Sequence, residues 1–322
     1  MRMIRFERPG SPLDVLECVQ APDPEPPPGR VRVRISARPV NPSDLLYVRG
    51  RYGRPPPSPS PVGFEAAGVV DACGAGAGPA PGTRVALDAA GTWQDLVVAD
   101  PADLTVLPDD IGDDDACQMS INPPTALLLV RLAGLRTGQW LVQNAGASAV
   151  ARMVTRLAVR AGARCVSIVR SGRHSAALRE LGATVIDASS EPVGDRCADL
   201  TAGRGAAVAF DAVGGQASDQ AVRCLADGGR LVVYGLMSGQ PATVRTEDLI
   251  FRSVGVEGFW LPERLRTLDR DERAGLAAAV VDGLRTGVLR SEVEARYPLA
   301  GFADAVRHAA APGRTGKILL TP

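Results

Sequence analysis

Apolar positions follow two different patterns, one in roughly the first third of the chain and one from Trp140 onwards. Early on, the segment 30–40 alternates apolar and polar residues, as expected of a half-buried strand, and segments 62–73 and 83–88 are similar. Proline clusters separate them, and proline cannot donate a ladder hydrogen bond. The first third is therefore predicted to consist of short strands and loops.

From Trp140 the pattern predicts strands that alternate with helices. The apolar run 140–145 predicts a strand, and the helical spacing over 148–160 predicts the helix that follows. Further strands are predicted at 164–169, 184–187, 207–211 and 230–234, with helices at 175–181, 195–201 and 217–225. Strands in alternation with helices predict a parallel sheet covered on both faces, which is an α/β fold of the doubly wound kind.

The remaining segments predict how the two patterns are connected. One more strand is predicted at 253–261, then helices at 271–286 and 300–310, and a last strand at 317–321 that would most naturally return to the β-rich domain. Asp113 to Asp115 suit a helix N-terminus, although a solvated acidic loop is an equal alternative.

Composition limits the chemistry that the chain can perform. The 322 residues carry 36 basic and 36 acidic side chains, which argues against a nucleic-acid or anionic-membrane binder. The two histidines, His174 and His308, cannot form a three-histidine zinc site, and the single lysine is Lys317. We find no signal peptide, no apolar run of 18 residues and no paired cysteines, so we expect a cytoplasmic protein.

The turn after the first strand of the alternating region is a possible dinucleotide site. Residues 144–151 are small, so backbone N–H groups could approach a pyrophosphate at a helix N-terminus, although alanines stand where glycines are expected. The second strand is followed by Arg170, Ser171 and Arg173, without the acidic residue that would bind a ribose 2′-hydroxyl. This favours NADPH, whose 2′-phosphate needs cationic partners. The alternative is that both arginines are simply solvated.

Short motifs spread along the chain identify a family resemblance. They are Asn41-Pro42-Ser43-Asp44, Gly50-Arg51-Tyr52-Gly53, Gly91-Thr92-Trp93, Asn122-Pro123-Pro124-Thr125-Ala126, Gln143-Asn144-Ala145, Val169-Arg170, Tyr234-Gly235-Leu236-Met237, Gly258-Phe259-Trp260-Leu261 and Lys317. In order and spacing the chain resembles the medium-chain dehydrogenase/reductase superfamily, and within it the zinc-free 2-enoyl thioester reductases of the mitochondrial type.

The resemblance implies a domain organisation and a zinc-free site. It implies a β-rich, GroES-like catalytic domain at 1–121, a Rossmann dinucleotide-binding domain at 122–265, and a return to the catalytic domain at 266–322. Zinc-dependent relatives have Gly-His-Glu where this chain has Gly63-Phe64-Glu65. Phenylalanine cannot coordinate a metal, so we expect no metal ligands and hydride transfer without zinc.

The resemblance also implies roles for individual residues. Tyr52 would be the proton donor beside the nicotinamide, and the alternative is a loop tyrosine packed on prolines. Trp260 could equally be a core residue. The residues implied to contact the cofactor are Asn41, Asn122, Thr125, Ala147, Ser148, Ala149, Val150, Arg170, Ser171, Arg173, Tyr234, Gly235, Leu236, Met237, Phe259, Trp260, Leu261 and Lys317.

Three functions remain compatible with the sequence. The first is NADPH-dependent reduction of the C2–C3 double bond of a 2-enoyl thioester, carried by CoA or by a carrier protein. The second is reduction of a quinone or a 2-alkenal within the same superfamily. The third is a nucleotide-binding protein with little turnover, suggested by Ala149 and Ala151 in the phosphate-binding turn. A homodimer is expected by resemblance, through edge pairing of the strand at 253–261.

Overall fold

The computed structural model describes residues 1–53 and 55–322, which form two compact units. Unit 1 comprises Met1–Asn122 and Ala279–Pro322, and unit 2 comprises Pro123–Ala278. Unit 2 is therefore inserted into the sequence of unit 1. None of the helices in the described part of the chain is both long and apolar enough to cross a membrane.

The described residues form short β-strands and α-helices. The strands are β1 (Arg2–Phe6), β2 (Glu17–Gln20), β3 (Val31–Pro39), β4 (Ser60–Pro61), β5 (Glu65–Cys73), β6 (Arg84–Asp88), β7 (Leu96–Ala99), β8 (Leu104–Val106), β9 (Trp140–Gln143), β10 (Arg164–Val169), β11 (Thr184–Asp187), β12 (Ala206–Asp211), β13 (Leu225–Val233), β14 (Gly255–Gly258), β15 (Val293–Pro298) and β16 (Lys317–Thr321). The α-helices are α1 (Pro12–Val15), α2 (Pro42–Val48), α3 (Asp113–Ala116), α4 (Asn122–Ala133), α5 (Ala149–Arg160), α6 (Ser175–Glu180), α7 (Val193–Thr201), α8 (Gln216–Arg223), α9 (Thr246–Phe251), α10 (Leu261–Arg266), α11 (Arg270–Arg285) and α12 (Phe302–Ala310).

Unit 2 is built on a six-stranded parallel sheet with the order β11-β10-β9-β12-β13-β14. Numbered from β9, this is the order 3-2-1-4-5-6 of dinucleotide-binding folds, in which ligands bind outside the carboxyl ends of the strands where the order reverses. β10 is buried along nearly its whole length, as expected of a strand covered on both faces. The predicted doubly wound α/β fold is confirmed.

Unit 1 is β-rich and is completed by the C-terminal strand. Its larger sheet has the order β15-β16-β3-β5-β6-β8, with β7 also paired to β3, and a second sheet has the order β2-β1-β4. β16 pairs antiparallel with β3, Leu319 opposite Pro39 and Leu320 opposite Arg38. The predicted return of the last strand to the β-rich domain is confirmed.

The structure differs from the predicted elements in a few places. The strand predicted at 253–261 is confined to β14, because Ser253 has a left-handed φ of 51° and Pro262 lies in the first turn of α10. Helix α2 was not predicted; a capping box formed by Asn41 and Asp44 begins it. Strand β15 and the separate helix α4 were also missed. The acidic residues 113–115 do begin a helix, the short α3.

Candidate active site

A buried hydrogen-bond network joins the carboxyl ends of β9 and β12 in unit 2. Asn144 Nδ2 donates to Asp211 Oδ1 at 2.6 Å, and Asn144 Oδ1 accepts from the N–H of Ala212 at 2.8 Å. Asp211 Oδ1 also accepts from the N–H groups of Val213 and Gly214 at 2.8 and 2.9 Å. These contacts fix the two loops at the point where the strand order reverses.

The turn between β9 and α5 allows a close backbone approach at Gly146. A Cβ there would lie 2.7 Å from the Cβ of Ser167 and 3.1 Å from the carbonyl oxygen of Ile168, so only glycine fits. Ala145 adopts a left-handed φ of 47°. Ser148 is the N-cap of α5, and its Oγ accepts from the N–H of Ala151 at 3.3 Å. The turn therefore presents the N-terminus of a twelve-residue helix at the carboxyl edge of the sheet.

Ala147 precedes the N-cap Ser148, and Ala149 and Val150 are the first two residues of α5. Arg152, which sequence reasoning did not single out, donates from Nε to the carbonyl oxygen of Ala147 at 3.1 Å. Its guanidinium adds positive charge beside the turn. Ala151, one of the alanines at positions where glycine is expected, is fully buried within α5, so its methyl group packs into the interior of unit 2.

Exposed cationic side chains follow β10 at the same edge. Arg170, Ser171 and Arg173 are exposed, and within residues 1–53 and 55–322 neither arginine forms an ion pair with a carboxylate. The carboxylate of Asp187 lies beside this loop: Ser189 donates to Asp187 Oδ1 from its N–H at 3.0 Å and from its Oγ at 2.7 Å, and hydrogen bonds from Ser189 and the Gly172 backbone lower the pKa of Asp187. The edge thus exposes the guanidinium groups of Arg170 and Arg173, which could bind an anion, and the Asp187 carboxylate lies at the intervening residue Gly172.

Two further predicted segments follow β13 and β14. Tyr234 and Gly235 donate their N–H groups to the carbonyl oxygen of Asp211 at 2.8 and 3.3 Å, and the segment continues through Leu236 to the exposed Met237. Phe259 is buried, and its N–H donates to the carbonyl oxygen of Val233 at 2.8 Å. The predicted cofactor segments of unit 2 therefore share the carboxyl edge of its sheet.

Residues 259–261 have different environments although they are adjacent. Phe259 and Leu261 are buried, whereas Trp260 is 42% exposed. The alternative that Trp260 is a core residue is therefore wrong.

Tyr52 belongs to an aromatic group in unit 1. Its ring centroid lies 5.3 Å from that of Phe64, and Tyr47 packs edge-on against the other side of the group with its centroid 5.1 Å from Phe64. The Tyr47 hydroxyl is hydrogen-bonded to Ser60 Oγ at 2.7 Å. The phenylalanine at the metal-ligand position of zinc-dependent relatives thus supports the Tyr52 ring.

A buried carboxylate cluster, formed by Asn41, Asp44, Glu65 and Lys317, also lies in unit 1, and the Phe64 backbone hydrogen-bonds to its Asp44. Asn41 Nδ2 donates to Glu65 Oε1 at 2.7 Å, the N–H of Asn41 donates to Asp44 Oδ2 at 2.7 Å, and Lys317 Nζ donates to Asn41 Oδ1. Burial raises the pKa of Asp44 to about 8 and that of Glu65 to about 7, while burial lowers the pKa of Lys317. The predicted cofactor contacts Asn41 and Lys317 are therefore bonded to each other.

Glu65 also contacts the segment that leads to the predicted residues Asn122 and Thr125. Glu65 Oε2 accepts from the N–H groups of Ser120 and Ile121 at 3.1 and 3.0 Å. Asn122 is the first residue of α4 and is half-buried, and Thr125 is buried one turn later. Across the described residues, no group of three or more histidine, cysteine, aspartate or glutamate side chains could hold a metal ion.

Several residues at these sites were missed from the sequence. Asp211 had a recognisable signal, since it ends the fourth strand of the predicted sheet, next to the strand-order reversal. Gly146 was visible only as one small residue among several. Asp44 and Glu65 occur in sequence motifs that resemble or depart from those of the family, but nothing in the sequence indicates that they share a buried cluster with Lys317.

The two raised carboxyl pKa values predict a pH-dependent stability. Unfolded carboxyls lose their protons near about pH 4, whereas folded Asp44 and Glu65 retain them until about pH 7 to 8. Stability should therefore fall as the pH rises from about 5 to 8, by up to about 1.4 kcal/mol per pH unit for each retained proton. Asp44→Asn should flatten this slope in urea denaturation measured across that range.

Asp95→Asn is the matched control for this pH series. Although burial acts in the opposite direction, hydrogen bonds from Arg2 hold the pKa of Asp95 below its usual value. Its contribution is therefore constant above about pH 5, and the variant should keep the wild-type slope while losing stability uniformly. An Asp44→Asn slope equal to that of the wild type would contradict the prediction.

Comparison with known families supports the two-unit organisation. The model of the alcohol dehydrogenase GroES-like domain matches residues 27–109, which lie in unit 1, and the model of the zinc-binding dehydrogenase family matches residues 149–278, which lie in unit 2. The β-rich GroES-like domain and the Rossmann-type domain are therefore both confirmed.

Individual relatives span nearly the whole chain. The mitochondrial enoyl-[acyl-carrier-protein] reductase of Xenopus tropicalis is 33% identical over 332 residues, covering 99% of this chain and 95% of the relative. The structure of a Pseudomonas syringae quinone oxidoreductase superposes with a TM-score of 0.91 at 29% identity, covering 100% of this chain and 99% of its own. The Escherichia coli quinone oxidoreductase complexed with NADPH superposes with a TM-score of 0.92 at 25% identity and full coverage of both chains. The chain therefore belongs to the medium-chain dehydrogenase/reductase superfamily and resembles its enoyl thioester reductases.

Proposed function

We propose that this protein reduces the C2–C3 double bond of a 2-enoyl thioester with NADPH and without zinc. The observation that carries the proposal is the similarity to an enoyl-[acyl-carrier-protein] reductase over 99% of the chain. Unit 2 would hold the cofactor and unit 1 would supply the proton donor. The acyl group would be bound to CoA or to a carrier protein.

The residues at the carboxyl edge of unit 2 fit NADPH. Gly146 allows the turn to pack closely against β10, and the N-terminus of α5 at that turn would attract the negative charge of a pyrophosphate. Arg170 and Arg173 have no carboxylate partner in the described chain and would bind the 2′-phosphate, with Ser171 beside them. The relative from Escherichia coli was solved with NADPH, which agrees with this assignment.

The chain's own contribution to the chemistry would be proton delivery. Bound NADPH supplies the hydride, which reduces the β-carbon. Negative charge then develops on the thioester oxygen, and the Tyr52 hydroxyl would hydrogen-bond that oxygen or protonate the α-carbon, directly or through water. Phe64 and Tyr47 hold the aromatic group in which Tyr52 packs, so that the hydroxyl has a defined position.

Quinone reduction is the second candidate function. Quinone oxidoreductases from two bacteria match the fold over the full length of this chain with TM-scores of 0.91 and 0.92. A quinone accepts hydride at oxygen or carbon without requiring a tyrosine to protonate an α-carbon. The two functions therefore differ in their dependence on Tyr52.

A protein that binds the nucleotide with little turnover is the third candidate, and the absence of any productive acceptor would favour it.

We also propose a homodimer formed through unit 2. β14 is the last strand in the order of its sheet, and among the described strands it pairs only with β13. The adjacent helix α9 exposes Ile250 and Phe251, which are 62% and 79% accessible, and Val256 of β14 is also exposed. An unpaired edge flanked by apolar side chains suits pairing with a second copy.

The substrate proposal predicts the behaviour of an acceptor panel. Purified protein should oxidise NADPH with crotonyl-CoA or hexenoyl-CoA faster than with quinones or 2-alkenals. Tyr52→Phe should lower kcat for the enoyl thioester by about 100-fold or more, since a general acid is lost. Steady-state assays of NADPH absorbance measure both effects.

Tyr47→Phe is the matched control because it removes a hydroxyl from the same aromatic group. Its kcat should stay close to that of the wild type. Turnover of quinones with none of any enoyl thioester would refute the substrate assignment. Equal kcat values for Tyr52→Phe and Tyr47→Phe would refute the role of Tyr52.

The cofactor proposal predicts that Arg170 distinguishes the two nicotinamide cofactors. Arg170→Ala should raise KM for NADPH by about tenfold, the loss expected of a charge-assisted hydrogen bond, and leave KM for NADH nearly unchanged. Arg179→Ala changes an equally exposed arginine on α6 and should alter neither constant. If Arg170→Ala raised both KM values equally, contact with the 2′-phosphate would be disproved.

The dimer proposal predicts the effect of a charge on the apolar surface next to β14. Phe251→Asp should convert the dimer into monomers in analytical ultracentrifugation, because the interface would bury an unpaired carboxylate. Leu13→Asp places the same charge on an exposed leucine of unit 1 and should leave the dimer intact. A wild-type protein that sediments as a monomer would contradict the proposal.

A further inference from the structure

The hydrogen bonds of the buried carboxylate cluster can run in only one donor-to-acceptor direction, from Lys317 through Asn41 to Glu65. Lys317 can only donate, and it donates to the side-chain oxygen of Asn41. The amide nitrogen of Asn41 then faces Glu65, whose carboxylate accepts at 2.7 Å. Reversing the Asn41 amide would set donor against donor at Lys317 and acceptor against acceptor at Glu65. The lysine therefore determines which way the amide points and keeps Glu65 an acceptor.

The far end of this series is the backbone immediately before Asn122. Glu65 Oε2 accepts from the N–H groups of Ser120 and Ile121 at 3.1 and 3.0 Å. Backbone N–H groups at a helix start have no partner within the helix, and α4 follows directly. Pro123 and Pro124 contribute no N–H to its first turn. The Glu65 carboxylate therefore provides the N–H groups of Ser120 and Ile121 with a hydrogen-bond acceptor that the neighbouring sequence does not provide.

Above about pH 7, the value to which burial raises its pKa, Glu65 is ionised. Its two oxygens accept three hydrogen bonds, from Asn41, Ser120 and Ile121. Lys317 supplies the compensating positive charge within the same buried region, where it is only 6% exposed. A buried carboxylate is stable when donors surround it and a cation is near, whereas removal of one partner leaves the other uncompensated. Removing the charge of either Glu65 or Lys317 should therefore weaken the hydrogen bonds of the whole cluster.

We propose that Glu65 is a positioning residue for the reductase site, which fixes the backbone of Ser120 and Ile121 and thereby the position of Asn122. Lys317 acts on the same segment through Asn41 and Glu65. The effect on catalysis rests on the proposed function, in which Asn122 contacts the nicotinamide half of NADPH. The single lysine of the chain thus has a structural task in addition to the cofactor contact implied by resemblance.

Glu65→Gln tests the first part of the proposal. The amide keeps the shape of the carboxylate, but its NH2 group must face either Asn41 Nδ2 or the two backbone N–H groups, so at least one contact is lost. Hydrogen exchange of cofactor-free protein, resolved to the peptide that contains Ser120 and Ile121, should accelerate roughly tenfold or more. The dissociation constant of NADPH, from fluorescence titration, should rise, and KM for NADPH should rise more than kcat falls.

Lys317→Met tests the proposal from the other end and covers the case in which Glu65→Gln does not fold. Methionine keeps much of the length of the side chain but removes the charge and the donor. Exchange over Ser120 and Ile121 should accelerate in this variant too, although Lys317 does not contact either residue. Because the measurement is made without NADPH, loss of a direct cofactor contact cannot produce that result.

Asp95→Asn is the matched control within unit 1. Asp95 also accepts a backbone N–H, from Arg2 at 2.7 Å, and pairs with the same residue's guanidinium. The variant should leave exchange over Ser120 and Ile121 and the affinity for NADPH at wild-type values. It thus reports the general effect of removing a carboxylate from this unit.

Two results would overturn the proposal. Wild-type exchange over Ser120 and Ile121 in both Glu65→Gln and Lys317→Met would show that the cluster does not fix this segment. Faster exchange with an unchanged dissociation constant for NADPH would show that the segment does not position a cofactor contact. A wild-type protein that binds NADPH but reduces no acceptor would count against the proposed function alone, since neither readout requires turnover.

Discussion

The antiparallel pairing of β16 with β3 is the sheet interaction that joins the two sequence segments of unit 1. It joins the C-terminal residues to a strand near the start of the chain, and β15 adds to the sheet only through β16. The same pairing brings Lys317, the first residue of β16, to Asn41, which lies two residues after the end of β3. Sheet formation therefore assembles the buried carboxylate cluster, and the cluster in turn carries charge that must be compensated where it is buried.

Most of the fold could be predicted because its patterns are local. Strands β10, β11 and β16 match the predicted bounds, since continuous apolar runs bounded by turn residues leave little ambiguity. The strand predicted at 253–261 was too long, because apolar character persists into α10 and periodicity alone does not mark where a strand gives way to a helix. Helix α2 was missed because its capping box contributes only one turn of sequence signal.

The residues of the candidate site differ in the same way: some could be predicted from local sequence, whereas others are brought together only by long-range contacts. The cationic end of β10 could be predicted, since the position after the second strand of such a sheet is fixed by topology. The links from Lys317 through Asn41 and Glu65 to Ser120 could not, since they join residues separated by up to 276 positions. Gly146 illustrates an intermediate case: its need for glycine arises from Ser167 on the neighbouring strand, not from the turn in which it lies.

The insertion of unit 2 within unit 1 bears on how the chain folds during synthesis. Unit 2 is a continuous segment, so it is complete as soon as residue 278 has left the ribosome. Unit 1 cannot complete its larger sheet until β16, which follows unit 2 in the sequence, has been made. Since domains generally fold as units during translation, the Arg38–Pro39 end of β3 would lack its β16 partner in the nascent chain while unit 2 is already formed. The part of unit 1 that is made first is therefore the last to complete its native hydrogen bonding.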